Sequence, residues 1–421
     1  MNKKHVFLNE VIAQIKSKEA KKYIASELSF HLKEAKKVWL EKGLTGTEAE
    51  EKAVEQMGSP INLGQQLNKL HRPRVDGVLV ILLMTIFGLG FLPMFSIGDM
   101  GEYLLVSKVI ITLISSAAAL GMMLMDYRKF KKQGWLFYSI GALILLVLRL
   151  FSNITINGLP LLRIGPLTIE SIMSLPFFFL AWATFFNNKR LKVWQFIVLF
   201  FLPFILFFTV PSISTTYIYT IMVFSMLWWS QFSRKMVLSI WGVFVSCFLF
   251  VSIISWKFLG FYQKDRFLAY LNPEKYSDGP GFMIIRMKEL LSTAGWFGHP
   301  MNKEFIPEAH TNFVFVSFTY YYGWLFAILL VLLLVLFGAR IIVISSKIQD
   351  SYGKLLLIGA VALYTVQLAT NIGMTLGIFP LISMSLPFIS YGLMPSLLNA
   401  SLIGIVLSVY RRKELTGKQI R

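Results

Sequence analysis

Uninterrupted runs of apolar residues dominate the sequence between Val75 and Tyr410. A helix needs roughly 20 apolar residues to cross a bilayer, and about ten of the runs approach that length. A transmembrane β-barrel would show alternating apolar and polar positions instead of continuous runs. The pattern therefore predicts an all-α, polytopic membrane protein with about ten transmembrane helices. The predicted limits of these spans are 75–97, 103–125, 135–152, 167–186, 193–211, 215–230, 236–257, 313–338, 354–377 and 393–410.

Residues 1–74 are polar and charged, and we interpret them as a separate small helical domain. Apolar residues recur every three or four positions between Lys16 and Lys42, which predicts an amphipathic helix. Thr47 and Glu50 have the spacing of a capping box and predict the start of a second helix. A third is predicted from Ile61 to Leu70. The stretch resembles the cytoplasmic helical prefix domain of some bacterial permeases, and a solvated leader without a partner is the alternative interpretation.

The distribution of charge predicts how the spans are oriented. The chain is 56% hydrophobic and only 15% charged, yet its formal net charge is +19. Basic residues lie mainly in alternate short loops and near the tail at 413–421, so the positive-inside rule places this tail and residues 1–74 in the cytoplasm. The stretch 258–312 is then a large extracellular loop. The pattern predicts contact with anionic membrane lipids rather than with nucleic acid.

The extracellular loop ends in a stretch, Phe305 to Phe313, that concentrates polar residues beside a long apolar run. Glu308, His310 and Asn312 occur there at alternate positions. Loops longer than about 12–15 residues usually carry function or are disordered, and the many aromatic and leucine residues of this loop favour order. The sequence therefore predicts a polar site held at the membrane surface.

Several motifs, occurring in a fixed order, resemble those of a known protein family. They are Arg266-Phe-Leu-Ala-Tyr-Leu-Asn-Pro273, Asp278-Gly-Pro-Gly281, Gly295-Trp-Phe-Gly298, Ile306-Pro-Glu-Ala-His-Thr-Asn-Phe313, Asn371-Ile-Gly-Met-Thr-Leu-Gly-Ile-Phe-Pro380 and Ser385-Leu-Pro-Phe-Ile-Ser-Tyr-Gly392. In a frame of about ten spans they resemble the SEDS family (shape, elongation, division and sporulation), the FtsW, RodA and SpoVE proteins of bacterial cell-wall synthesis. The resemblance covers about residues 75–412, which we interpret as one SEDS-like transmembrane domain.

The resemblance implies a multi-pass protein of the bacterial cell membrane that polymerises lipid II, the undecaprenyl-linked disaccharide-peptide, into peptidoglycan. It also implies a class B penicillin-binding protein as partner. The family's proposed catalytic residue is the aspartate of Pro-Glu-X-His-Thr-Asp-Phe, which would accept the proton of the acceptor sugar or hold a divalent cation. In this chain that position is Asn312. A neutral amide cannot accept that proton and is a poorer cation ligand, so both glycosyltransferase activity and the divalent cation are open expectations.

Other departures from the family pattern also remove charged groups. Where the family has Gln-Pro-Ser-Glu followed by a lysine, the corresponding stretch here reads Leu167-Thr-Ile-Glu170, and Met173 occupies the lysine position. An acidic position of the family is occupied by Ser212, and an acidic motif is replaced around Tyr321 and Tyr322. The chain is therefore identified as a divergent member of the family.

The candidate site residues each have two interpretations. Glu308 can be a surrogate base, or it can cap the following span or pair with Arg266. His310 can donate a hydrogen bond to a phosphate or satisfy loop carbonyl groups. Arg266, together with Arg286 and Lys288, can bind pyrophosphate, for which arginine is suited by its bidentate geometry; contact with lipid phosphates is the alternative for the latter two.

Two further residues are predicted to contact the substrate. Glu170 lies near a span end, where an ionisable group is a functional hypothesis by default, although it can also snorkel to the interface. Ser390 belongs to the last family motif. No metal site formed by protein ligands is predicted, because no cluster with metal-ligand spacing occurs in the sequence.

The sequence leaves several functions open. The protein can polymerise lipid II with Glu308 or another acid, or it can be a non-catalytic scaffold that binds lipid II. We favour the second because of Asn312. A transporter that flips a lipid-linked substrate, and a sensor in which residues 1–74 bind a regulator, are the alternatives from other classes.

Overall fold

The computed structural model describes residues 3–96, 101–156, 159–165, 167–258, 261–299 and 304–415. The chain forms two compact units. One consists of Met1–Val75 together with Tyr410–Arg421, and the other consists of Asp76–Val409.

The smaller unit contains four helices. They are α1 (Lys3–Ala13), α2 (Lys18–Glu41), α3 (Gly46–Gln56) and α4 (Pro60–Leu70). The predicted capping box at Thr47 was wrong by two positions. Thr45 is the N-cap of α3, and its backbone N–H donates to the carboxylate of Glu48 at 3.0 Å. Both threonines are followed three residues later by a glutamate, so the spacing alone could not choose between them.

The apolar faces of these helices form one core that also includes a residue from the end of the chain. Its buried members are Phe7, Leu8, Val11, Ile15, Ala20, Ile24, Leu28, Leu32, Ala53 and Leu415. Arg412 is completely buried and makes two 2.8 Å hydrogen bonds to the carboxylate of Glu19. The segment after the last apolar run is therefore part of this unit.

The larger unit is a bundle of helices, most of which are apolar. They are α5 (Gly77–Leu89), α6 (Leu92–Ser96), α7 (Gly101–Leu124), α8 (Gly134–Phe151), α9 (Leu175–Asn187), α10 (Val193–Thr209), α11 (Ile213–Trp228), α12 (Arg234–Phe258), α13 (Phe261–Leu271), α14 (Phe282–Thr293), α15 (Val314–Ser346), α16 (Ser351–Thr375) and α17 (Leu393–Arg411). Within the described residues, seven candidate spans are long and apolar enough to cross a membrane, and three apolar helices are shorter. The prediction of a polytopic, helical membrane protein is confirmed.

One small sheet was not predicted. Strands β1 (Ile154–Ile156), β2 (Leu159–Ile164) and β3 (Leu167–Ile169) form an antiparallel meander after α8. Asn153 fixes it, because its amide oxygen and nitrogen bond the backbone N–H and carbonyl of Arg163, both at 2.9 Å. The predicted span at 167–186 therefore starts too early: its first residues form β3 and a 3-10 turn, and α9 begins only at Leu175.

The core of the bundle lies around α16 and α17. In each of these helices 72% of the most apolar window is buried inside the protein, whereas the value for α12 is 6%. Helix α15 is kinked at Gly323, whose φ of 85° is left-handed. A kink at this point allows the segment after α14 to pair with the helix: the N–H of Trp324 donates to the carbonyl of Gly295 at 3.0 Å.

Candidate functional site

The predicted polar stretch forms a compact turn immediately before α15, and we call residues 307–313 the Glu308 turn. Glu308 has a left-handed backbone with a φ of 47°, and its carbonyl accepts a 3.0 Å hydrogen bond from the N–H of Thr311. The hydroxyl of Ser317, in the first turn of α15, donates to the carbonyl of Ala309 at 2.7 Å. The turn is thereby closed on itself and fixed to the start of the helix.

A second segment, residues 384–392 between α16 and α17, contacts the Glu308 turn, and we call it the Ser390 loop. The N–H of Tyr391 donates to the carbonyl of His310 at 2.7 Å. The hydroxyl of Ser390 donates to the carbonyl of Thr311 at 2.6 Å. Two consecutive carbonyl groups of the turn are therefore held by two consecutive residues of the loop.

Asn371 joins the two segments from within the bundle. This residue of α16 is completely buried. Its amide nitrogen donates to the carbonyl of Asn312 at 2.8 Å and to the carbonyl of Met384 at 2.6 Å. Because buried backbone groups are costly to leave unpaired, one side chain here satisfies a carbonyl of the turn and a carbonyl of the loop.

Within the turn, the three predicted catalytic residues lie together. The side-chain amide of Asn312 donates a hydrogen bond to the carboxylate of Glu308. The ring of His310 packs edge-on against Tyr391, with ring centroids 5.4 Å apart. Burial lowers the pKa of His310 and outweighs the opposing effect of the Glu308 charge, so the imidazole is neutral at pH 7. The turn thus offers one carboxylate, one amide and one neutral imidazole.

The predicted phosphate ligands are placed less favourably for a substrate. Arg286 lies in α14 and is tied to two carboxylates, Glu289 at 2.8 Å and Glu304 at 2.6 Å. Lys288 is exposed and its side chain reaches towards Gly377. Arg266 belongs to α13, but its side chain lies outside the described part of the chain. Of the three, Arg286 therefore has a clear structural use, which is to hold the start of the stretch before the Glu308 turn.

Ser390 and Glu170 occupy different surroundings. The Ser390 hydroxyl, besides donating to the turn, accepts a 2.8 Å bond from the N–H of Leu386, so most of its bonding capacity is used inside the protein. Glu170 directly precedes the 3-10 turn Ser171–Ser174. Burial raises the pKa of this carboxyl group. The structure does not bring Glu170 into the network of hydrogen bonds that links the Glu308 turn and the Ser390 loop.

Next to Glu170 is a buried triangle of hydroxyl groups. Ser171 contacts Ser212 at 2.9 Å and Thr215 at 3.0 Å, and the latter two are 2.7 Å apart. Ser212 is the residue that replaces an acid of the family pattern. Its hydroxyl is satisfied by its neighbours, so the loss of the acid leaves a neutral, bonded cluster at this position.

Sequence reasoning missed the part that Lys108 has in this region. The lysine lies in α7, is 1% exposed, and donates to three consecutive carbonyl groups of the Ser390 loop. The signal in the sequence was a charged residue inside an apolar run, which is rare and usually functional. The partner of that charge is more than 270 residues away in the chain, so the signal could not show what the lysine binds.

The residues at the turn do not fit a divalent cation. Magnesium and calcium need several oxygen ligands, and the turn supplies one carboxylate, to which Asn312 presents an N–H donor rather than an oxygen. Among the described residues, no group of three or more histidine, cysteine, aspartate or glutamate side chains could hold a metal ion.

The protein is therefore a helical membrane bundle in which the Glu308 turn is held against the Ser390 loop. That loop connects the two most buried helices, α16 and α17. These features define the class of the protein. Residues 76–415 match the cell cycle proteins FtsW, RodA and SpoVE, and the chain belongs to this family. It is thus a member of the SEDS family, as its motifs suggested.

Individual relatives agree with this assignment. The chain is 29% identical to the peptidoglycan glycosyltransferase MrdB of Escherichia coli strain K12 over 231 residues, which is 53% of this chain and 61% of MrdB. The match therefore spans less than two thirds of that relative.

Solved structures show the same fold. A chain from a structure on the coordination of polymerization and crosslinking by a peptidoglycan synthase complex gives a TM-score of 0.70 at 23% identity, and 82% of this chain matches 99% of that one. The rod shape determining protein RodA of Thermus thermophilus gives a TM-score of 0.58 at 20% identity, covering 82% of this chain and 98% of RodA.

Proposed function

We propose that this protein binds lipid II in peptidoglycan synthesis of the bacterial cell and does not itself polymerise it. The observation that carries the second half is the hydrogen bond from the amide of Asn312 to the carboxylate of Glu308. At the family's proposed catalytic position the chain has a donor that cannot accept a proton. That donor also occupies an oxygen of Glu308, which is the nearest candidate for a surrogate base.

Binding is proposed because hydrogen bonds from the surrounding helices and loop fix the position of the Glu308 turn. The Glu308 turn is held by Asn371, Ser390 and Tyr391, all of which belong to motifs that the family resemblance includes. Two of these residues, Asn371 and Ser390, are buried polar side chains. Burying such groups is costly unless they are hydrogen-bonded, so a turn without any role would not need them to fix its position. A neutral His310 can donate one N–H to a phosphate or sugar oxygen.

The proposal includes an orientation and a partner. The positive-inside rule supports cytoplasmic chain ends and a Glu308 turn on the outer face, where lipid II would be bound. A class B penicillin-binding protein is the proposed partner, since a structure with a TM-score of 0.70 belongs to a peptidoglycan synthase complex. The protein would then supply bound lipid II to a separate polymerase, or act as a scaffold for it.

Purified protein tests both halves of the proposal. Fluorescent lipid II is titrated against the wild type and His310→Ala, and polymerisation is assayed with and without a candidate class B penicillin-binding protein. We expect binding without glycan strands, and about tenfold weaker binding for His310→Ala, the loss typical of a hydrogen bond to a charged group. Glycan strands made by the wild type and abolished by Glu308→Ala would show instead that Glu308 serves as the base. Absence of lipid II binding would overturn the proposal altogether.

Transport of a lipid-linked substrate is less well supported. A flippase needs polar groups along a path, and the candidates Gln367, Asn371 and Asn399 are all at most 1% exposed. Their amide nitrogens donate within the bundle, for example from Asn399 to Gln367 at 3.2 Å. Movement of labelled lipid II across vesicles containing the protein would revive this alternative.

A further inference from the structure

Lys108 is an unusual residue because it is a buried lysine whose nitrogen contacts only backbone carbonyl groups among its described hydrogen bonds. The Nζ atom lies 2.8 Å from the carbonyl oxygen of Ser390, 2.9 Å from that of Ile389 and 3.4 Å from that of Phe388. An ammonium group has three N–H donors and no acceptor. Its donor count therefore matches the three carbonyl groups in front of it.

Lys108 does not reach the surface of the protein. It is 1% exposed and lies two turns into α7, which begins at Gly101. A lysine that snorkels keeps its charged head in water or among headgroups. Placing a charge inside a span is expensive. The three carbonyl groups therefore compensate for the hydration that the ammonium group loses on burial.

The Ser390 loop has an unusual backbone conformation where it contacts Lys108. Phe388 has a left-handed backbone with a φ of 65°, which is a costly conformation for a bulky residue. Its ring is anchored edge-on against Phe87 and Phe337, with centroids 5.5 Å and 5.4 Å away. In this conformation the carbonyl groups of residues 388–390 converge on the lysine nitrogen, which is their donor among the described hydrogen bonds. Removing that donor is costly for buried carbonyl groups.

The Ser390 loop is also bonded to the Glu308 turn. The carbonyl of Ser390 accepts a hydrogen bond from Lys108, and its hydroxyl donates one to the carbonyl of Thr311. The next residue, Tyr391, binds the carbonyl of His310. The residue that contacts Lys108, Ser390, and its neighbour Tyr391 therefore both bond the Glu308 turn directly.

We propose that Lys108 is a positioning residue: by clamping the carbonyl groups of residues 388–390 it sets the Ser390 loop, and through that loop the position of the Glu308 turn. For the effect on substrate this inference rests on the proposed binding of lipid II. For the effect on the two segments it stands without it.

The test compares Lys108→Met, which keeps an unbranched side chain only one atom shorter but has no donor, with Lys108→Arg, which restores donors. Ser115→Ala is the matched control. Ser115 lies two turns further along α7, is completely buried, and its hydroxyl has no hydrogen-bond partner among the described residues. Hydrogen–deuterium exchange is measured on the full-length protein in detergent, in peptides covering 305–313, 384–392 and, for reference, α16.

We expect Lys108→Met to speed exchange in both segments by about tenfold or more, as for the loss of buried hydrogen-bond partners, with α16 unchanged. Lys108→Arg should recover part of the protection, and Ser115→Ala should match the wild type. Unchanged exchange in folded Lys108→Met, or an equal rise throughout the bundle, would overturn the proposal. If this variant does not accumulate, Lys108→Gln is measured instead. Its shorter side chain has two N–H donors for three carbonyl groups, so an intermediate rise of exchange in both segments is expected, and exchange equal to the wild type would overturn the proposal.

Lipid II binding is measured on the same samples. Weaker binding by Lys108→Met, with recovery in Lys108→Arg, is expected to accompany the faster exchange. If the wild type does not bind lipid II, the proposed function fails, while the exchange data still decide whether Lys108 positions the turn. If the wild type binds and Lys108→Met binds equally despite faster exchange, the positioning does not serve lipid II.

Discussion

The amide of Asn312 donates a hydrogen bond to the carboxylate of Glu308, four residues earlier in the same turn. An aspartate at position 312 would place two carboxyl groups at hydrogen-bond distance instead of a donor and an acceptor. Two such groups cannot both ionise at no cost, because like charges at short distance raise the pKa of one of them. The present pair avoids that conflict and gives up a potential proton acceptor.

This relationship predicts that Asn312→Asp makes stability depend on pH. In the variant one carboxyl group holds its proton to a higher pH in the folded state than in the unfolded chain, where an aspartate has a pKa of about 3.9. The folded state then binds more protons, so stability falls as pH rises above that value. Melting temperatures in detergent between pH 4 and 8 should decline for the variant relative to the wild type. Parallel curves would contradict the close pairing of the two groups.

Glu170 provides a second pH-dependent prediction. Burial raises the pKa of its carboxyl group in the folded protein, so the folded state keeps this proton above about pH 4.3, the value of an ordinary glutamate. Its contribution to stability is therefore full at low pH and is lost as pH rises through the raised pKa. Glu170→Gln, which imitates the protonated form, should melt at a higher temperature than the wild type at pH 8 and at a similar one at pH 4. The opposite order would show that the carboxylate is stabilised by a partner.

The order of the spans could be predicted because the length of an apolar run is a local property. Where contacts between distant residues determine the structure, the predicted limits of the elements were wrong. Helix α15 runs to Ser346 rather than to 338, since the charge of Arg340 is paired with buried Asp76 at 2.7 Å. The meander depends on Asn153 binding Arg163 ten residues away, a contact that apolar periodicity does not encode.

The candidate site shows the same division. Glu308, His310 and Asn312 are neighbours in sequence, and their common turn was predictable. Lys108 and Asn371 reach the region from α7 and α16, and only the folded bundle brings them to carbonyl groups of the turn and of the Ser390 loop. Tertiary hydrogen bonds to backbone atoms leave no pattern in the sequence of the partner.

The smaller unit should depend on the end of the chain. Arg412 is completely buried and binds the carboxylate of Glu19, which keeps 35% of its side chain exposed. Arg412→Met leaves that carboxylate without these two bonds, and the partial exposure of Glu19 limits the loss to about 1–3 kcal/mol. Limited proteolysis of the full-length protein should cut within residues 3–70 faster in this variant. Lys52→Met, which breaks the exposed pair with Glu55, is the control and should change little.

Gly323 should be the least replaceable glycine of α15. A Cβ atom at this position would lie 2.2 Å from the carbonyl oxygen of Trp296, and the φ of 85° is unfavourable for any other residue. Gly323→Ala is expected to destabilise the protein by more than about 2 kcal/mol, because left-handed strain of 1–3 kcal/mol adds to a backbone clash. Gly242→Ala is the matched control: it lies in α12 with no atom within 4 Å of the added group, and alanine there should stabilise the helix by about 0.5–1 kcal/mol. Thermal unfolding in detergent measures both, and equal melting temperatures for the two variants would show that the kink does not require glycine.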